Sequence, residues 1–182
     1  MTNLKRHLKE RNVNLELYPD CVVCEETNTF TMYLWNLSGQ LLGFQTYKPN
    51  KPKNDKNLNP RDQRYFTFVA KNSQNSNQLT AWGLHLLNPK KRNLFVCEGF
   101  ADAVRLHNLG LNGLALLACD PKPLKSWLWT LGYNVVPVCE GDKAGLKLKK
   151  LSNNGDVVFL EENKDLGDLT DKELKETFKR FF

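Results

Sequence analysis

From Leu94 onward the chain repeats one pattern four times: a short apolar run, then a segment with helical spacing. LFVC (94–97) precedes ADAVRLHNL, GLALLAC (113–119) precedes PLKSWLWTL, VVPVC (135–139) precedes KAGLKLKKL, and VVFL (157–160) precedes a last helix. The first two helical segments stop at Gly110 and Gly132, and the last opens with a capping box, Thr170 with Glu173 three residues on. Behind that box, Leu174, Phe178 and Phe181 are spaced for one face. Runs that recur about every 20 residues and are apolar throughout suit strands buried on both sides. Parallel strands need a crossover, and a helix supplies it, so this half is expected to form a mostly parallel sheet flanked by helices, an α/β fold.

The first half reads differently. Residues 30–47, FTMYLWNLSGQLLGFQTY, alternate apolar and polar positions around Ser38-Gly39, the pattern of a β-hairpin, and RYFTFVA (64–70) continues as a strand. Asn and Ser dominate 72–78, a loop by composition. The expected organisation is a small basic, β-rich subdomain of α+β character over 1–90, followed by the α/β domain over 91–182.

With 41% hydrophobic and 25% charged residues, the composition is ordinary for a globular fold and argues against disorder, collagen-like repeats or coiled coil. No apolar run approaches the roughly 20 residues of a membrane span, and the N-terminal segment has basic residues with no apolar core behind them, so a cytoplasmic protein without membrane contact is expected. Of the five cysteines only Cys21 and Cys24 form a CxxC pair, and a structural zinc site wants four ligands, so no structural zinc is expected. Cys97, Cys119 and Cys139 end apolar runs and read as buried thiols.

The net charge of +6 is unevenly spread. Residues 48–71 hold seven basic side chains against two acidic ones, directly beside Tyr65, Phe66 and Phe68. Such a stretch is either a solvated loop or a phosphate-contacting segment next to aromatics that can stack on bases, as single-stranded nucleic acid or nucleotides require.

Ligands of an open parallel sheet bind beyond the carboxyl ends of its strands. In this chain those ends are acidic: Glu98 follows the first strand, Glu140 and Asp142 the third, and Asp165 and Asp168 the fourth. Carboxylates gathered at one edge repel one another unless a cation neutralises them, and hard oxygen donors suit Mg²⁺ or Mn²⁺. Glu98, Glu140, Asp142 and Asp165 are therefore candidates for a shared metal site. Asp102 is equally well read as a helix cap, Asp120 and Asp156 as turn residues, and Asp171 as a first-turn acid favoured by the helix dipole.

LFVCEGFADAVRLHNLG, VCEGDKAG and ENKDLGDL, in that order, resemble the three motifs of the Toprim domain, shared by DnaG-like primases, type IA and II topoisomerases and several nucleases. YLWNLSGQLLGFQTYKP followed by RYFTF is similar to the subdomain that precedes Toprim in the bacterial-type primase catalytic core. The resemblance implies a Toprim fold over roughly 92–170. It implies that Glu98 is the catalytic glutamate, with a general acid/base or metal role, and that Glu140 and Asp142 are the metal-binding pair, Glu140 standing where the family usually has Asp. Asp165 takes the place of the further acid of the last motif, and Asp168 is left open. Lys48, Arg61, Arg64, Lys71 and Lys143 would hold nucleic-acid phosphates or the nucleotide tail.

What the resemblance implies overall is a DNA primase core of bacteriophage type that makes short RNA primers on single-stranded DNA from nucleoside triphosphates with Mg²⁺ or Mn²⁺. The chain carries no G-x-x-x-x-G-K-[ST] motif and no zinc module, so such a core would either borrow those functions from partners, a replicative helicase or a separate zinc-binding template-recognition protein, or work without them. The alternatives are a Toprim-type metal-dependent nuclease and a catalytically silent protein that binds single strands.

Overall fold

The structure is a computed structural model that describes residues 3–53, 55–74, 76, 78–117, 123–141, 145–162 and 164–182. The chain divides into two compact units, residues 1–80 and 81–182. Among the described residues no helix is long and apolar enough to cross a membrane.

The first unit is an antiparallel sheet in the order β1-β2-β3-β4, made of Val22–Cys24, Thr29–Trp35, Leu41–Tyr47 and Tyr65–Val69. The hairpin expected over 30–47 is β2 and β3. Its turn is closed by Asn36, whose Oδ1 accepts the N–H groups of Ser38 and Gln40 at 3.0 and 2.9 Å, and Gly39 sits at φ +72°. The period of two sorts the side chains: Phe30, Met32, Leu34 and Tyr47 are 2% exposed or less. Helix α1 (Asn3–Glu10) belongs to this inner face, burying Leu4 and Leu8 and stacking His7 on Tyr47 with ring centroids 5.9 Å apart. His7 Nε2 lies 2.8 Å from the Tyr47 hydroxyl, and burial together with the Arg11 charge holds its pKa below the ordinary histidine value.

The second unit is the parallel sheet that the repeated pattern requires, in the order β6-β5-β7-β8, from Asn112–Ala115, Asn93–Cys97, Asn134–Cys139 and Val158–Phe159. All three pairings are parallel. Central strand β5 is buried on both sides. Leu94 and Val96 join a cluster with Leu124 and Leu128 of α3 (Leu124–Thr130) and Leu148 of α4 (Gly145–Leu148). Phe95 points to the opposite face and meets Phe178 of α5 (Asp171–Phe178) edge-on at 5.3 Å. Helix α2 (Phe100–Asn108) shares that face, where Gly113 of β6 leaves room for Leu106.

Two elements differ from the sequence expectation in extent. The apolar run at 157–160 pairs through only two residues, and among the described residues the helix after β7 is one turn, continued by a 3₁₀ turn over Lys149–Leu151. Residues 81–87 lie beside β6 and α2: Trp82 bridges Ala115 and packs against Phe100 and His107.

Candidate metal and nucleotide site

Because β5 and β7 are neighbours and run parallel, with Val96 opposite Pro137, Glu98 and Glu140 emerge at the same edge of the sheet. Both are half-buried. Beside Glu98, the pairing with β6 runs on past the strand: Leu116 N donates to Cys97 O at 2.9 Å and Leu117 N to Glu98 O at 3.0 Å. Leu117 does so at φ +55°, a left-handed conformation that costs a residue with a bulky side chain and that clusters at functional sites.

Asp102 occupies the third position of α2, whose N-cap is Gly99 with no side-chain cap. It is 8% exposed, and its carboxylate accepts the backbone N–H groups of Gly99 and Leu166. The cap reading of Asp102 therefore describes half of its role: it reaches back to the helix start and also across to the segment after β8. Burial, with the charges of Asp165 and Glu140 behind it, raises the Asp102 carboxyl to about 7. The same field reaches the Cys97 thiol, which burial first, and then Asp102, Glu140 and Glu98, push well above the ordinary thiol range. Asp102 thus feels Asp165 and Glu140, and Cys97 feels Asp102, Glu140 and Glu98.

Close backbone approach brings the strand ends together. A side chain on Gly141 would lie 2.5 Å from Glu162 Cα and 2.8 Å from Glu161 O, so only a glycine allows the chain after β7 to touch the chain after β8. Gly145, at the start of α4, packs on the backbone of Glu140 in the same way.

Asp165 and Asp168 hold each other's backbone: Asp165 N donates to Asp168 Oδ2 and Asp168 N to Asp165 Oδ1, both at 3.0 Å. Each carboxylate keeps a second oxygen outside that pair of bonds. The loop they form is fastened by Arg105, a residue the sequence analysis passed over. Its side chain is 5% exposed and lies 3.0 Å from the Asp171 carboxylate. It also donates from Nε to Leu166 O at 3.3 Å and from Nη2 to Leu169 O at 2.6 Å. Asp102 and Arg105, three residues apart on one face of α2, therefore grip the 165–171 segment together. The only sequence signal for Arg105 was a cation inside the apolar stretch AVRL.

Asp142 and Lys143, both singled out in the sequence, lie outside the described residues, as do Cys119 and Asp120. Among the described residues no group of three or more His, Cys, Asp or Glu side chains is placed to hold a metal ion. The fit to a divalent cation rests on donor chemistry: oxygen ligands only, and a carboxyl that burial first, and then the charges of Asp165 and Glu140, drive toward its neutral form.

The basic stretch of the first unit folds into an ordered excursion. Lys48 Nζ donates to Arg61 O at 2.8 Å and lies 3.8 Å from Asp62, and Arg64 Nε donates to Lys51 O at 2.8 Å. Lys48 N and Arg64 O also bond at 2.8 Å, closing the base of the loop. Arg61 is exposed and holds its guanidinium 5.9 Å from the centre of the Phe66 ring. Lys71 is exposed beyond the end of β4. Tyr65, grouped with Phe66 and Phe68 by sequence, points the other way and stacks on Tyr47 at 5.2 Å.

No protein-family model matches the sequence, and no curated protein is similar to it. Solved structures are. The chain is similar to the DnaG primase catalytic domain bound to ssDNA, with 20% identity and a TM-score of 0.60 over 95% of this chain and 62% of that one. A DNA primase domain from Pseudomonas aeruginosa gives 19% identity and a TM-score of 0.62 over 99% and 63%. The primase fragment of the bacteriophage T7 primase-helicase protein gives 16% and 0.66 over 93% and 72%. The chain thus spans a little over three-fifths of the first two structures. An antiparallel sheet followed by a parallel one with helices on both faces, aligned over nearly the whole chain, is the fold of the DnaG-type primase catalytic core.

Proposed function

We propose that this chain is the catalytic core of a DNA primase of the Toprim class, of bacteriophage type, which makes short RNA primers on single-stranded DNA by metal-dependent nucleotidyl transfer. The observation that carries this reading is that the neighbouring parallel strands β5 and β7 deliver Glu98 and Glu140 to one edge of the sheet, in a fold shared with primase cores. On this reading residues 1–80 are the strand-binding subdomain and 81–182 the catalytic one, and the protein works in the cytoplasm. The replicative helicase, or a separate zinc-binding protein that recognises the template, is its partner.

Glu98, Glu140, Asp165 and Asp142 are the residues that would hold Mg²⁺ or Mn²⁺. Bound there, a divalent cation lowers the pKa of an attacking hydroxyl and offsets the charge of the departing pyrophosphate. Glu98 is the group suited to receive the proton of the 3′-hydroxyl as the oxygen bonds to the α-phosphorus and the bond to pyrophosphate breaks. Asp102 and Arg105 position the loop that carries Asp165 and do not touch substrate. Lys143, next to Asp142 in sequence, and Lys48, Arg61, Arg64 and Lys71 supply counter-charge to nucleotide and template phosphates.

The test is incubation of the protein with single-stranded DNA, labelled nucleoside triphosphates and Mg²⁺ or Mn²⁺. Short products that need both template and metal are expected. Metal-dependent breakdown of a labelled strand without incorporation would replace this reading by the nuclease one. Strand binding with neither reaction would replace it by the silent binding protein.

A further inference from the structure

The antiparallel sheet of the first unit has a second face, opposite the one that α1 covers. The inner face is filled by Phe30, Met32, Leu34 and Tyr47 beneath α1. On the outer face, the register places Tyr33 of β2 opposite Phe44 of β3, and Phe44 opposite Phe68 of β4. Phe66, two residues from Phe68, shares that face. The Phe44 ring lies 5.6 Å from Phe68 and 6.1 Å from Phe66. Phe68 is 50% exposed, and Tyr33, Phe44 and Phe66 are half-buried. Arg61 holds its guanidinium 5.9 Å from the centre of the Phe66 ring. Four aromatic rings on three adjacent strands thus form a partly exposed apolar patch on a small sheet that already has a core on its other side.

We propose that this outer face, Tyr33, Phe44, Phe66 and Phe68 with Arg61 at its margin, is a stacking platform for the bases of single-stranded nucleic acid. The proposal rests on the reading of the protein as one that handles a single strand, and it names the residues that take the bases. Charge selects the occupant. The adjoining segment 48–71 has seven basic residues against two acidic ones, which suits a polyanion, and a chain carrying +6 is poorly matched to a second copy of itself. Aromatic rings on an open sheet stack on bases of any sequence, and a duplex keeps its base faces covered.

The experiment is equilibrium binding of a fluorescent oligothymidylate and of an abasic deoxyribose-phosphate strand of the same length, without nucleotides or divalent metal. Wild-type protein is expected to bind the thymidylate at least about tenfold more tightly, the worth of roughly one stacked base. Phe68→Ala should remove most of that preference while leaving the salt dependence unchanged, and Phe68→Trp should keep it. Phe68 is half-exposed, so its replacement leaves the core intact, and thermal melting checks this. Equal affinity of wild type for the two strands, or a Phe68→Ala protein with its preference intact, overturns the platform. So does concentration-dependent self-association that Phe68→Ala abolishes, because it makes a second copy the occupant. Failure of primer synthesis bears on the catalytic reading alone, since this binding requires no catalysis.

Discussion

Arg105 makes the clearest structural prediction, because its side chain is buried and it bonds two backbone carbonyls and one carboxylate of the 165–171 segment. Replacing it by methionine keeps an unbranched chain of similar length, so the packing of α2 against its neighbours changes little. What is lost is the pair of charge-assisted bonds to Leu166 O and Leu169 O and the contact with Asp171. Leu166 is 1% exposed, so its carbonyl is left without a partner at a cost of about 1–3 kcal/mol. Leu169 is half-buried and water can replace part of its bond, so about 1 kcal/mol is expected there. The Asp171 carboxylate is 80% exposed and adds less than about 1 kcal/mol. The total is about 3 kcal/mol. At a urea slope of about 2 kcal/mol per molar, the midpoint for the second unit should fall by about 1.5 M. Urea denaturation followed by circular dichroism measures it, and Asp171→Asn, which removes only the exposed contact, should shift the midpoint by less than about 0.5 M. A loss below about 1 kcal/mol for Arg105→Met would show that the guanidinium does not hold the 165–171 segment, and the account of how Asp165 is positioned would fail with it.

Further consequences concern the acids and the glycines between them. Asp102 keeps its proton in the folded protein up to pH about 7, whereas the unfolded chain releases it near the ordinary carboxylate value of 3.8. Between those values the folded state binds the extra proton, so this residue's contribution falls as pH rises and is gone above about 7. Measured in chelator, the stability of wild type relative to Asp102→Asn should therefore drop by a few kcal/mol from pH 4 to pH 8; parallel profiles would contradict the burial argument. Gly141→Ala places a methyl group 2.5 Å from Glu162 Cα. Forcing the two strand ends apart should cost about 1–3 kcal/mol and reduce primer synthesis, read by thermal melting and incorporation on the same preparation.

The second unit was legible because its signals are redundant. Each apolar run is long enough for a strand, three of the four helical segments end at a glycine or open on a cap, and parallel pairing follows from the alternation. The capping box at Thr170 and Glu173 is present with both of its bonds. The length of β8 was not legible, since an apolar run does not reveal how much of it finds a neighbour. Strand ends nominated Glu98, Glu140 and Asp165 as candidates because that inference needs topology alone. Arg105 escaped because its partners are carbonyls some 60 residues away, and a carbonyl has no identity in a sequence. The aromatic cluster was half legible: Phe66 and Phe68 face outward as stacking candidates, but the period of two turns Tyr65 inward onto Tyr47 and brings in Phe44 from the neighbouring strand.

The central claim is that the acids at the carboxyl edge of the parallel sheet carry out primer synthesis, and the rate of the Glu98→Gln protein tests it most directly. Glutamine keeps the size and removes the charge and the proton-accepting oxygen. The variant should fold and bind single-stranded DNA as wild type does, while the rate of short-product formation falls by at least about a hundredfold, the scale of a general base. Primer synthesis by folded Glu98→Gln at the wild-type rate would contradict the account.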